Sequence, residues 1–243
     1  DLLTANIYRM SEGMKEIEVE NFYEPDCPSV KIALDPSLSP SMNAQRYYKK
    51  YNKAKTALIE ASKQAQTARA DLEYLESTLA LVDQAETVAD INAVKDELGA
   101  LGYISRRTKQ IKKRGAEKSK PLHFVSSDGF DIYVGKNNTQ NDYLTLKFAN
   151  TSDLWFHTKD IHGSHTIIKL GIDKEVPRRT ILEAASIAAY YSQARESAQV
   201  PVDYTVIKNV KKPNGAKPGM VIYDGYNTVY VKPSAPEDKR DEQ

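Results

Sequence analysis

Residues 47–82 read YYKKYNKAKTALIEASKQAQTARADLEYLESTLALV, and their small and apolar positions fall at Tyr47, Tyr51, Ala54, Leu58, Ala61, Ala65, Ala68, Leu72, Leu75, Leu79 and Val82. The steps between them alternate 4, 3, 4, 3 without a slip. A 3.5-residue period kept through about five heptads predicts a coiled-coil seam, narrower than the stripe of a helix lying on a globular core. The helix would be on the order of 60 Å long, with Ser41 or Asn43 as its N-cap. Thr87 opens a second, shorter helix with Val88, Ile91, Val94, Leu98 and Leu101 on one face, ended by Gly99 and Gly102. It can cover only the distal part of the seam. The proximal part therefore needs a helix from upstream or a second copy of the chain, a homodimer through the coiled coil. Ala54, Ala61, Ala65 and Ala68 allow close approach but bury little area each.

On the N-terminal side, residues 2–12 read as the end of a helix stopped by Gly13. Apolar residues then alternate over Glu16 to Tyr23 and again over Val30 to Leu34, with the turn chemistry of Glu24-Pro25-Asp26-Cys27-Pro28 between them, which predicts a β-hairpin. The chain starts at Asp1, inside an apolar helical pattern with no cap ahead of it, and so reads as the C-terminal part of something longer. On the other side, Ser105 to Lys120 holds eight cations against Glu117 alone and reads as a flexible basic linker. From Pro121 the texture changes to short strands and turns: Leu122–Val125, Phe130–Val134, Leu154–His157, His165–Ile168, Val202–Val206, Met220–Tyr223 and Thr228–Val231, with a globular helix over Thr180 to Ala194. The expected fold is α+β. A long antiparallel-type coiled-coil arm, preceded by a β-hairpin, is joined to a mixed, mostly antiparallel sheet domain with a packed helix. The expected parts are 1–40, helix end and hairpin; 41–104, coiled-coil helices; 105–120, linker; 121–233, sheet domain; and 234–243, a disordered tail.

The 243 residues are 40% hydrophobic and 28% charged, with 11 Gly and 11 Pro, which excludes collagen-like, mucin-like and fully disordered classes. No run approaches the roughly 18 apolar residues of a membrane span, so no membrane insertion is expected, and no secretion signal is readable. The lone Cys27 cannot form an internal disulfide, which fits a reducing, cytosolic protein. A net charge of +1 hides an asymmetry, because residues 1–104 sum to −6, residues 105–232 to +9 and the last eleven to −2. A basic second half points to a polyanion, unless its charges are simply interspersed over a solvated surface.

The densest chemistry is Asp153-Leu154-Trp155-Phe156-His157-Thr158-Lys159-Asp160-Ile161-His162-Gly163-Ser164-His165, which holds the single Trp and three of the four His. A metal site would need His157 and His165 to meet across a hairpin and to find a third ligand. A Ser164/His165/Asp160 triad has the residue types but no nucleophile elbow or evident oxyanion hole. A buried Trp with Asp and His satisfying the turn backbone is a purely structural alternative. Nucleic-acid contact is the remaining one, since aromatic and imidazole rings stack on unpaired bases while cations hold phosphates. Lys208, Lys211, Lys212 and Lys217 lie on a Pro- and Gly-rich loop, either a phosphate clamp or a solvated loop. No G-x-x-x-x-G-K-[ST] or G-x-G-x-x-G occurs, so nucleotide hydrolysis and dehydrogenase chemistry have no support, and no cofactor is expected.

DLWFHTKDIHGSH resembles the signature of the RNA-binding domain of the NFACT family of fibronectin-binding protein A-like proteins. The likeness continues through SSDGFDIYVGKNNTQND, ILEAASIAAYYSQAR and VPVDYTVIKNVKKPNGAKPGMVIY, and through LLTANIYRM and ENFYEP to LDPSLSPSMNAQRYYKKYNK, so it covers nearly the whole chain. Asp153, Trp155, His157, Asp160, Gly163, Ser164 and His165 match the signature, whereas His162 stands where the family usually has Pro, implying a less rigid turn. The resemblance implies a non-enzymatic part in ribosome-associated quality control. The full protein would bind the large ribosomal subunit and tRNA so that stalled chains receive an alanine tail. It also implies a cytoplasmic location and, as an alternative, a fibronectin-binding surface adhesin reaching the cell surface without a signal peptide.

Overall fold

A computed structural model describes residues 1–105, 119–171 and 175–235. The chain divides into two compact units, Asp1–Arg69 and Ala70–Gln243. The expected linker falls almost wholly on 106–118 and most of the expected tail on 236–243, outside the described residues.

The first unit opens with a short helix α1 (Leu2–Ala5) and a 3₁₀ turn over Ile7–Arg9. The hairpin follows as β1 (Glu16–Glu20) and β2 (Ser29–Ala33), antiparallel, with Ile17 opposite Ile32 and Val19 opposite Val30. Leu3, Met10, Ile17, Val19 and Leu34 form its small core. The long helix α2 (Pro40–Asp83) then begins. Its cap differs from the expected Ser41 or Asn43, because Pro40, with φ preset and no N–H to satisfy, takes the first helical position. Ser39 Oγ accepts from the Met42 N–H at 3.3 Å. Asn43 is buried and braces the preceding turn instead, accepting from the Asp35 N–H at 2.8 Å and donating to the Asp35 and Leu38 carbonyls.

The second unit contains the last turns of α2, α3 (Val88–Ala100) and a six-stranded sheet. Thr87 and Asp90 start α3 with a reciprocal capping box. The helix pair does not close the predicted seam: Leu72, Leu75 and Leu79 of α2 stay exposed, and Val88 of α3 is 77% exposed. Tyr74, Thr78 and Leu81 are buried instead, and from α3 Asp90, Val94 and Glu97. The cause is visible in the hydrogen bonds. Tyr74 OH donates to Glu97 at 2.6 Å, Asn138 Nδ2 donates to Thr78 at 3.0 Å, and Glu97 accepts from the Thr139 N–H at 2.8 Å. These helices turn a polar face to the sheet domain, at the expense of the apolar register.

The sheet strands are β3 (Leu122–Val125), β4 (Asp131–Val134), β5 (Leu154–Thr158), β6 (Thr166–Ile168), β7 (Val200–Val206) and, last in the chain, β10 (Asn227–Val231). They lie in the order β10-β7-β5-β6-β4-β3, with every pair antiparallel. Between β4 and β5 come α4 (Asn138–Tyr143), capped by Asn137, and a π turn over Leu144–Phe148. Helix α5 (Arg178–Tyr190) covers one sheet face, where Phe124, Ile132, Phe156, Ile168, Ala184 and Ala188 form the main core. The opposite face is covered by Leu144 and by Ile207 and Val210, which pack on Trp155 and Ile167. β8 (Val210–Lys211) and β9 (Ile222–Tyr223) form a separate ribbon, so the strand expected near Met220 lies outside the main sheet.

Candidate nucleic-acid interface

β5 sits between β7 and β6, so its side chains point alternately into two covered faces. Trp155 and Phe156 are both fully buried. Trp155 is a core ring, with His157 stacked on it at 5.7 Å and Tyr223 tilted against it at 4.8 Å. It offers no open stacking face. Among the described residues its indole N–H has no hydrogen-bond partner.

Asp153 is likewise buried, and works as a backbone clamp. Its carboxylate accepts from Lys169 Nζ at 2.7 Å, from the Leu170 N–H at 2.8 Å and from the Asn150 N–H at 2.7 Å, tying the start of β5 to the end of β6.

The turn between β5 and β6 is pinned at several points. Asp160 is exposed and adopts the left-handed conformation, with φ 54°. Thr158 Oγ1 donates to the Ile161 carbonyl at 2.9 Å, the Ser164 N–H to Tyr191 O and the Gln193 N–H to His162 O. Gly163 bridges to Ser192 so closely that a Cβ would stand 2.8 Å from the Ser192 Cβ and 3.1 Å from the Tyr191 carbonyl. Only glycine fits there. Despite lacking the Pro, the turn is fastened to the end of α5, with His162 Nε2 3.6 Å from Glu76.

His157 and His165 do meet across the hairpin, their rings perpendicular at 5.6 Å. Burial pushes His157 down to about 4 and His165 to about 3, and each ring disfavours or faces further positive charge, His162 beside the first and His157 and Lys212 beside the second. Both are neutral at physiological pH. Thr145 Oγ1 lies 2.8 Å from His165 Nδ1, and the His165 N–H donates to Asn141 Oδ1 at 3.1 Å. Among the described residues no three His, Cys, Asp or Glu side chains converge as metal donors. Ser164 is buried and its N–H is engaged by α5, so the triad geometry does not assemble at the surface.

The four lysines of the basic loop separate into two pairs. Lys208 and Lys211 are exposed. Lys212 is ion-paired with Asp142, which also accepts from the Gly219 N–H at 2.9 Å. Lys217 is ion-paired with Asp71 and lies over the Tyr74 and Tyr103 rings, 5.2 and 4.8 Å from their centroids. Among the described residues Lys208 and Lys211 have no carboxylate partner, whereas Lys212 and Lys217 hold the loop to acidic and aromatic groups of the same unit. Sequence reasoning missed those groups, Asp71, Tyr74, Tyr103 and Asp142, and with them the Glu97 and Asn138 contacts to Tyr74 and Thr78. Their only local signal is the capping chemistry around Asn137, since their partners lie 23 to 146 residues away.

The antiparallel sheet thus carries α5 on one face and the lysine loop on the other, and the comparisons with known proteins place this part of the chain in a family. Residues 1–117 match the family model for NFACT N-terminal and middle domains, and residues 120–226 that for the NFACT protein RNA binding domain. The chain belongs to the NFACT family, in the branch of RqcH and NEMF ribosome quality-control proteins. It is 45% identical to the Rqc2 homolog RqcH of Bacillus subtilis over 97% of this chain and 41% of that protein. Against RqcH of Streptococcus suis it is 40% identical, over 98% of this chain and 42% of the relative. The chain thus spans about two-fifths of the length of these relatives. A solved structure, the C-terminal of the fibronectin/fibrinogen-binding protein from Streptococcus suis, superposes with a TM-score of 0.72 at 41% identity, covering 81% of this chain and 77% of that one. Among the described residues no helix is long and apolar enough to cross a membrane.

Proposed function

We propose that this chain is a non-enzymatic RNA-holding part of a cytoplasmic ribosome quality-control factor, one that binds the large ribosomal subunit and tRNA while the full protein directs alanine tailing of stalled chains. The match of residues 120–226 to the RNA-binding domain carries this reading. Lys208 and Lys211 supply phosphate contacts, while Asp153, Trp155, His157, Gly163, Ser164 and His165 shape the turn that presents Asp160 and the partly exposed Lys159 and His162. Lys212 and Lys217 act by holding the loop in place. Binding to purified large subunits and to tRNA over a salt series tests this. Affinity should fall steeply as salt rises, because phosphate contacts release counterions, and no affinity at low salt would end the reading.

The exposed seam of α2 supports self-association as a further element, read by sedimentation equilibrium. A strict monomer at high concentration would remove it. The name of the solved Streptococcus suis relative, a fibronectin/fibrinogen-binding protein, motivates a second reading, fibronectin binding, for which β3 and β10 are sheet edges able to add a strand. Surface plasmon resonance on immobilised fibronectin should then exceed that of a matched basic control protein, and equal signals would dispose of it.

A further inference from the structure

The first 104 residues are acidic as a whole, yet Pro40 to Ile59 contains five cations and no Asp or Glu. Four of them, Arg46, Lys49, Lys50 and Lys53, recur at helical spacing on α2 and share an arc of roughly 100°. All four are exposed. They line an open groove of about 390 Å³ beside Leu38 and Met42. Arg46 pairs with Asp35 at 2.5 Å. Among the described residues, Lys49, Lys50 and Lys53 have no carboxylate partner. The face points well away from Tyr47, Tyr51 and Leu58, so it stays open whatever covers the seam. At its edge, Lys50 lies over the Tyr47 ring at 5.5 Å.

We propose that this α2 face is a second RNA-contact surface of the chain, taking the phosphate backbone of duplex RNA. Three unneutralised ammonium groups within about two helical turns form a charge row that a polyanion satisfies better than scattered counterions do. Apart from Gln45 at its edge the row offers only cations, and its one Arg is already paired with Asp35, so the contact is chiefly to backbone and nearly independent of sequence. The choice of RNA over an acidic protein segment rests on the RNA-binding reading of the second unit.

The test uses the whole 243-residue chain and a 20-base-pair RNA duplex of arbitrary sequence, titrated between about 50 and 200 mM salt. Four proteins are compared: the parent, Lys49→Gln/Lys50→Gln/Lys53→Gln, Lys49→Arg/Lys50→Arg/Lys53→Arg, and Lys208→Gln/Lys211→Gln. The α2 variant should bind about tenfold or more weakly, with the salt slope reduced by about 2 to 3, because each lost phosphate contact removes roughly 0.9. The triple Lys→Arg variant should keep parental affinity, which separates charge from helix damage. An unchanged slope in the α2 variant overturns the proposal, and leaves the RNA reading of the second unit standing if Lys208→Gln/Lys211→Gln is impaired. The reverse pattern sinks the Lys208/Lys211 assignment and retains the α2 surface. A polyglutamate peptide is titrated in parallel. If the α2 variant loses polyglutamate but not RNA, the surface belongs to an acidic protein and the proposal fails.

Discussion

The rings of His157 and His165, eight residues apart in sequence, stand perpendicular at 5.6 Å inside the sheet domain, and burial keeps both as the uncharged imidazole at neutral pH. Their depressed values fix the sign of a pH effect. Between about 6.5, the free imidazole value, and about 4, the unfolded chain binds protons that the folded chain does not. Stability therefore rises with pH across that window, is fully present above it and is lost progressively as pH falls. Urea unfolding at neutral pH and near pH 4.5 should show the loss. His157→Gln should flatten it, measured as a difference so that carboxylates such as Asp90, held low against Lys136, Ser119 and Thr87, cancel.

Trp155→Ala should act on stability before it acts on RNA. The ring is fully buried among Leu144, Ile167, Ile207 and Val210. Its removal should cost roughly 3–5 kcal/mol through the cavity left behind, seen as a lowered thermal midpoint. An unchanged midpoint with weakened RNA binding would mean that the ring reaches bases after all.

The two lysine pairs should separate by assay. Lys208→Ala/Lys211→Ala should leave the unfolding free energy within about 0.5 kcal/mol of the parent, as surface changes do, while lowering the salt slope of RNA binding. Lys217→Ala should do the opposite, losing about 1–2 kcal/mol of stability with its ion pair and ring contacts and leaving the slope nearly intact. Equal slopes for the two variants would contradict the division.

Gly163→Ala should be among the most damaging small changes in the chain. The new methyl would sit 2.8 Å from the Ser192 Cβ and against backbone at Tyr191, neither the far end of a flexible side chain. Hydrogen exchange at the Ser164 and Gln193 amides, both bonded across this approach, should accelerate more than at β3. Protected amides there would refute the close packing.

Local patterns were legible. Alternation located β1, β2, β5 and β7, the 3.6-residue stripe located α5, and Thr87 marked the start of α3. Whether Trp155 is a core ring or an open stacking face was not, because alternation tells which residues share a face and not whether one face or both are covered. The second cover is a loop, residues 207–223, with only short apolar patches. The heptad count was accurate as arithmetic and silent about what lies against it: in the second unit, Asp90 and Glu97 find donors in Lys136 and Thr139, and those long-range polar bonds select the buried face of α3. The partners of Lys212 and Lys217 were hidden for the same reason, since a sequence shows a lysine but not its carboxylate, which for Lys217 lies 146 residues away.

Those polar bonds also decide where the protein can be cut. A fragment beginning at Pro121 would keep Lys136, Lys217, Asn138 and the first turn of α4 but discard Asp90, Asp71, Thr78 and Glu97, leaving cations and amide donors at a freshly exposed surface with nothing to meet them. The RNA-binding domain as a folding piece therefore starts within α2, near Ala70, about fifty residues ahead of where its family likeness begins. Proteolysis or recombinant truncation that respects the shorter boundary would yield a weakened body, and one that spares the helices a durable one.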